Sequence, residues 1–290
     1  MATTPLKRTT TARSVLMAGL GLTLVGLSVG LPSDAQSGRD RWLEVSRLSG
    51  SVTYRGASVR SAQPGDRLSQ PGHGIETSSR ASTVLEIDTG IGTISVAENT
   101  HFSVQRLDTL ADGSEITILS VTQGQARIQT RPFTNINSRL ELHTPSGVAS
   151  VRGTEFGVNV AADGKSTIGT LQGAVEVSAQ DVSVQVGAGF ASVLVPGQPP
   201  TPPIPLDQEL LLELVDFHRR DRTLYIQGRI NPTNVLLLEG EAIEIGRSGW
   251  FSTVRLLPHG HRTVTFTVRN PLGEVRDYSV PVWQADIDRD

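Results

Sequence analysis

Arg152 and Glu155 are the pair whose side chains invite a chemical reading. They sit three apart in Ser150–Val158, SVRGTEFGV. In a regular strand, residues three apart point to opposite faces. The two charges therefore form no simple ion pair unless Gly153 kinks the chain. The bland reading has Arg152 bonding carbonyls at a glycine corner while Phe156 fills the core. Glu86 and Asp88 are two apart, on one face of an alternating strand, as cooperating carboxylates must be. They lack a third partner, so an exposed strand face is the plainer expectation. Of His73, His101, His143, His218, His259 and His261, none has the helical spacing of a ligand pair. His259 and His261 flank Gly260 in an expected turn, where a polar loop is the simpler reading than a surface metal contact.

Several chemistries are excluded or fail on context. With no cysteine in 290 residues, disulfides, thiolate zinc sites, cysteine nucleophiles and iron–sulfur clusters are ruled out. A G-x-S-x-G match, Gly26-Leu27-Ser28-Val29-Gly30, falls in an N-terminal apolar run rather than at a strand-to-helix turn. The acidic tail 286–290 (DIDRD) lacks the glycine and terminal glutamate of a calcium loop. The sequence predicts no enzyme, metal or cofactor. A net charge of -3, with no basic run beyond the first fifteen residues, argues against nucleic acid.

The N-terminus reads as an address. Lys7, Arg8 and Arg13 precede the apolar run Val15 to Leu31, followed by Pro32-Ser33-Asp34-Ala35. Basic, apolar, then small residues is the order of a secretory signal. Residues 1–35 are expected to be removed by cleavage after Ala35. The competing reading is an uncleaved anchor, because the run lies at the lower limit for spanning a bilayer. Cleavage leaves 23 basic against 28 acidic residues, with no later membrane span expected. The predicted location is periplasmic or secreted.

The elements that must position the motif are strands. Aromatics are only 4% of the chain, while Thr, Val, Ser and Gly abound. Leu85 and Ile87 alternate with Glu86 and Asp88, Leu140 and Leu142 with Glu141 and His143, and Val182, Val184 and Val186 with Ser183 and Gln185. Each pattern predicts a strand with one buried face. Leu48–Val52, Thr122–Ala126 and Leu171–Val175 share one shape, a strand entering a glycine (Gly50, Gly124, Gly173) and an alternating strand leaving it. Their unequal spacing predicts stacked, twisted β layers with glycine corners rather than a fixed-period solenoid.

The expected organisation of the mature chain is a β domain at 42–195, a linker at 196–206, a second β domain at 207–285, and an acidic tail at 286–290. Pro196 to Pro205, PGQPPTPPIP, reads as a semi-rigid spacer. Beyond it, 207–215 is open between a short helix and a first strand, and 235–245 reads as continuously extended. Short strands with regular turns predict a β-sandwich similar to small bacterial immunoglobulin-like modules.

The first β domain resembles the FecR family, named for the regulator of ferric dicitrate transport. The resemblance runs from about Glu44 to Val195. It rests on Gly50-Ser51-Val52, Gly65-Asp66-Arg67-Leu68, Gly74-Ile75-Glu76-Thr77, Gly124-Gln125-Ala126 and His143-Thr144-Pro145. Its most specific part is Val151, Arg152, Gly153, Thr154, Glu155 and Phe156, with Gly173 following. It implies an all-β, FecR-type extracytoplasmic domain with a solenoid-like stack of layers, and a habit of binding other proteins. Family members known in iron signalling hold a sigma factor on a cytoplasmic segment. Only fourteen residues precede the apolar run here, too few for such a domain, so direct anti-sigma activity is not expected. The reading is a non-enzymatic envelope module that binds another envelope protein. The alternative is a structural protein held on cell-wall glycan, with Trp250, Phe251 and Tyr225 available to stack on sugar rings.

Overall fold

A computed structural model describes residues 40–286. The expected signal, its cleavage site at Ala35, and residues 287–290 of the tail lie outside the described residues. The regular structure of the described residues is nearly all β, and no closed barrel forms among them. Among the described residues, no helix is long and apolar enough to cross a membrane.

The first 17 strands interlock in two layers over a common core. One layer runs, by its pairings, through Arg67–Leu68, Leu43–Ser49, Ser82–Ile87, Gly92–Val96, the second half of Glu115–Thr130, Glu155–Val160, Ser166–Gln172, Phe190–Leu194 and Ile204–Pro205. The other runs through Val59–Ser61, Val52–Arg55, Gly74–Thr77, His101–Thr109, the first half of Glu115–Thr130, Arg139–Thr144, Gly147–Val151, Ala174–Ala179 and Val182–Gly187. Within each layer the strands follow one another almost in chain order, as in a solenoid. All these pairings are antiparallel except Arg139–His143 against Ile116–Ser120.

The alternation decides which face is inward. Leu85, Ile87, Ile94, Ile128, Phe156 and Val158 of the first layer join Ile75, Phe102, Leu119, Leu140, Leu142 and Val175 of the second in one buried cluster. The three repeated glycines are the places where the chain changes layer. Gly50 and Gly173 each join a strand of the first layer to one of the second, and Gly124 lies where Glu115–Thr130 passes between them. Their φ values, 73°, 79° and 92°, are in the left-handed region open to glycine. A Cβ on Gly124 would stand 2.3 Å from Thr100 Oγ1.

Asp88 corrects the expected carboxylate pair. The strand ends at Ile87, and Asp88 turns away with φ 45°. Its Oδ2 accepts from Arg41 Nε and Nη2 at 2.9 and 2.7 Å, and its Oδ1 from the Trp42 backbone N–H. Glu86 is left exposed on its own.

The proline segment is pressed against the last long strand of the first layer. Thr201 N–H donates to the Val193 carbonyl at 3.0 Å, Ser192 Oγ to the Thr201 carbonyl at 2.8 Å, and Ile204–Pro205 pairs with Phe190–Ala191. Leu206 then packs with Ala191 and Leu272 in a small cluster between the two larger cores.

The last strands form a three-stranded sheet (Glu213–Arg220, Thr223–Arg229, Trp250–Leu256) and a four-stranded one (Glu241–Ile243, Val235–Leu238, Thr263–Arg269, Val275–Pro281). Phe217, Leu224, Ile226 and Phe251 of the first meet Leu236, Val264, Phe266 and Val268 of the second in one core. Two expectations are corrected. Residues 207–212 are neither helix nor strand, because Leu210 takes φ 53° and the ladder starts at Glu213. Residues 235–245 are a hairpin, reversed at Glu239 and Gly240 with φ 52° and 81°. Two successive positive φ values make the tight turn that suits strand twist, usually written Asn-Gly or Asp-Gly, so glutamate hid it.

Candidate functional site

The motif builds a corner. Val151 ends the strand Gly147–Val151 and is buried in the core. The chain then bends at Arg152-Gly153 and re-enters the other layer as Glu155–Val160. Gly153 has φ 108°, and a Cβ there would stand 2.2 Å from Pro132 Cα, so backbone meets backbone with no room for a side chain. Thr154 is buried, and its carbonyl accepts from Thr130 N–H at 3.0 Å. Gly173 lies against Thr154, whose Cγ2 would be 2.8 Å from an added Cβ. Phe156 is fully buried, as expected.

Arg152 and Glu155 part company at this bend. Glu155 Oε1 accepts from Arg127 Nε at 3.0 Å and Nη2 at 2.5 Å, a partner from the neighbouring strand. Arg152 does not bond the corner carbonyls. It is exposed, and among the described residues its guanidinium has no hydrogen-bond partner; only its backbone carbonyl is engaged, accepting from Phe133 N–H at 3.4 Å.

The outer face of Glu155–Val160 is covered as completely as its core face. All six residues are buried. Gly157 pairs directly with Gly169 across the ladder, and the turn Asn270-Pro271-Leu272-Gly273 lies on both. An added Cβ on Gly157 would be 1.9 Å from the Pro271 carbonyl oxygen, and one on Gly169 would be 2.7 Å from Pro271 Cγ. Gln125 Nε2 donates to the Asn270 and Pro271 carbonyls at 3.0 and 3.3 Å. Arg269 Nη2 meets Glu98 Oε1 at 2.8 Å, and Lys165 Nζ donates to the Ile245 carbonyl at 3.0 Å. Nothing local in the chain flags this contact, whose hydrogen-bonded partners are separated by 80 to 171 residues. Its one trace is a glycine inside each of two neighbouring strands, a sign of close backbone approach.

The other candidates fall into place singly. His143 contacts Glu141 at 3.1 Å, His218 contacts Asp216 at 2.7 Å and stacks on Tyr225, and His259 and His261 are exposed beside Gly260. Among the described residues, no group of three or more His, Cys, Asp or Glu could hold a metal ion. Of the three aromatics considered for sugars, Phe251 is in the core, Tyr225 is half-buried and Trp250 is 47% exposed.

The FecR protein family matches residues 73–176, a span that includes the whole motif corner and Gly173. Residues 73–176 are a FecR family domain. No curated protein matches the chain. Among solved structures, a proposed anti-sigma factor from Parabacteroides distasonis aligns at 13% identity and TM-score 0.38, covering 46% of this chain and 59% of that one. A second structure so described, from the same organism, gives 14%, a TM-score of 0.33, and coverage of 40% and 52%. A polysaccharide lyase gives 9% and a TM-score of 0.20, covering 83% of this chain and 39% of its own. The chain thus matches less than two thirds of each neighbour's length. In the FecR domain Arg152 and Glu155 do not pair, as their spacing predicts; the motif's glycine and phenylalanine build the corner.

Proposed function

We propose that this chain is an exported, non-catalytic FecR-type protein that binds another protein of the bacterial envelope. The supporting observation is the FecR domain at 73–176, carried behind an N-terminus with the basic, apolar, small order of a secretory signal. The motif agrees with this role. Glu155 is engaged by Arg127 and Phe156 by the core, which leaves surfaces rather than a reactive constellation to do the work. The organisation proposed is signal 1–35, FecR-type domain 42–195, proline segment 196–206, an immunoglobulin-like module 207–285 and a short acidic tail, with the mature protein periplasmic or secreted.

A second reading, retention on cell-wall glycan, draws on Trp250, which is exposed on the same strand face as Val254, the register partner of Tyr225. Fractionating cells that express a C-terminally tagged chain, with mass measurement of the mature N-terminus, tests export. The proposal expects the tag in the periplasm or medium and a chain beginning at Gln36. A cytoplasmic, uncleaved chain would overturn it. Co-sedimentation with purified peptidoglycan, abolished by Trp250→Ala, would favour the glycan reading instead.

A further inference from the structure

A cleft of about 440 Å³ lies between the FecR-side strands and the C-terminal sheets, within the size range of ligand sites. Four buried side-chain polar atoms lack a hydrogen-bond partner among the described residues. Three of them, Asn159 Nδ2, Asn234 Oδ1 and Arg269 Nε, belong to residues that line this one cleft. Native interiors leave few such atoms unpaired, because a buried polar group without a partner has given up its hydration for nothing in return. Asn159 and Asn234 are 4% and 3% exposed, so both are among the most buried polar residues of the cleft wall.

The unpaired atoms define what would satisfy them. Asn234 Nδ2 is held by Asp207 Oδ2 at 2.6 Å, which leaves its Oδ1 needing a donor. Arg269 Nη2 is held by Glu98, which leaves its Nε–H needing an acceptor, as does Asn159 Nδ2. An amide supplies both, a carbonyl and an N–H. Charge in the cleft is largely answered from within. Glu98 faces Arg269, and Lys165 lies near Asp163 and Glu244. The site therefore favours a neutral group. One wall also carries the strand Glu241–Ile243, which pairs on one side only, with Val235–Leu238, so its other edge is open to a further strand.

We propose that this cleft binds a short extended segment of polypeptide through its backbone amides. The proposal rests on the protein-binding reading above and locates where such binding occurs. The test is a nuclear magnetic resonance titration of the full-length protein with N-acetyl-trialanine methylamide, and separately with N-acetylglucosamine, whose acetamido group offers the same chemistry from a sugar. Two variants accompany it: Asn159→Ala, and Ala242→Arg, which puts a long side chain into the cleft from an exposed position. Saturable shifts with the peptide at 240–245 and at the Asn159 and Asn234 side-chain amides are expected, with affinity at least tenfold weaker in both variants. No saturable peptide shift, a response to the sugar alone, or full affinity in A242R would overturn the assignment. In-cell capture separates the two levels. A partner captured equally by wild type and A242R removes the cleft and leaves the protein-binding reading standing, whereas no partner for either removes both.

Discussion

Gly157 and Gly169 face each other across one hydrogen-bonded ladder, and Pro271 lies over the bare patch they leave. The absence of two side chains on the outer face of the FecR-side sheet is what lets the C-terminal module approach to backbone distance. Gly157→Ala should therefore force the turn away from the sheet. The expected loss is about 1–3 kcal/mol, the usual cost of overpacking a tight contact. Gly187→Ala serves as the control, because nothing lies within 4 Å of its added Cβ, and should stay within about 0.5 kcal/mol of wild type. Urea unfolding of the two variants makes the comparison.

The motif separates into residues that hold the fold and one that does not. Phe156→Ala removes a fully buried ring and should cost about 3–5 kcal/mol. Arg152→Ala removes an exposed side chain without a described partner and should change stability by less than about 0.5 kcal/mol. Equal losses in thermal or urea unfolding would contradict this division.

Arg127 and Glu155 provide a double-mutant cycle. Their ion pair is short, but the arginine side chain is 38% exposed, so solvent screening keeps the coupling near ~1 kcal/mol. Single and double alanine variants, measured in low and high salt, should show that coupling shrinking as salt rises.

The sequence displays what repeats locally. Alternation at Leu140–Leu142 and the glycines at 50, 124 and 173 mark strands and corners, because both arise within a few residues of chain. The hairpin at Glu239-Gly240 escaped because its first residue is not one that usually adopts a left-handed φ. Asp88 misled because alternation continues past Ile87 while the strand does not, its geometry set instead by Arg41 from far up the chain. The cover over Gly157 and the cleft beside Asn159 depend on residues 234–273, and no local pattern encodes that meeting.

The contact between Glu98 and Arg269 should respond to acid. The Glu98 carboxyl is held below its ordinary value of 4.5, first by the hydrogen bond from the Arg269 guanidinium and next by the Arg80 backbone N–H, both outweighing desolvation. The folded chain thus takes up this proton less readily than the unfolded one. The stabilisation is complete above the unfolded value and is lost as pH falls through the lower folded value. Wild type should be more stable than Glu98→Gln at pH 7, and the gap should close toward pH 3. A gap independent of pH in matched unfolding curves would refute the linkage.

The central claim, that this is an envelope module that binds protein, is tested most directly by in-cell cross-linking of a C-terminally tagged chain and mass spectrometry of what it captures. The account predicts one dominant periplasmic or outer-membrane protein, enriched over an equally exported, tagged control. Wall fragments alone, or the same proteins as the control, would contradict it.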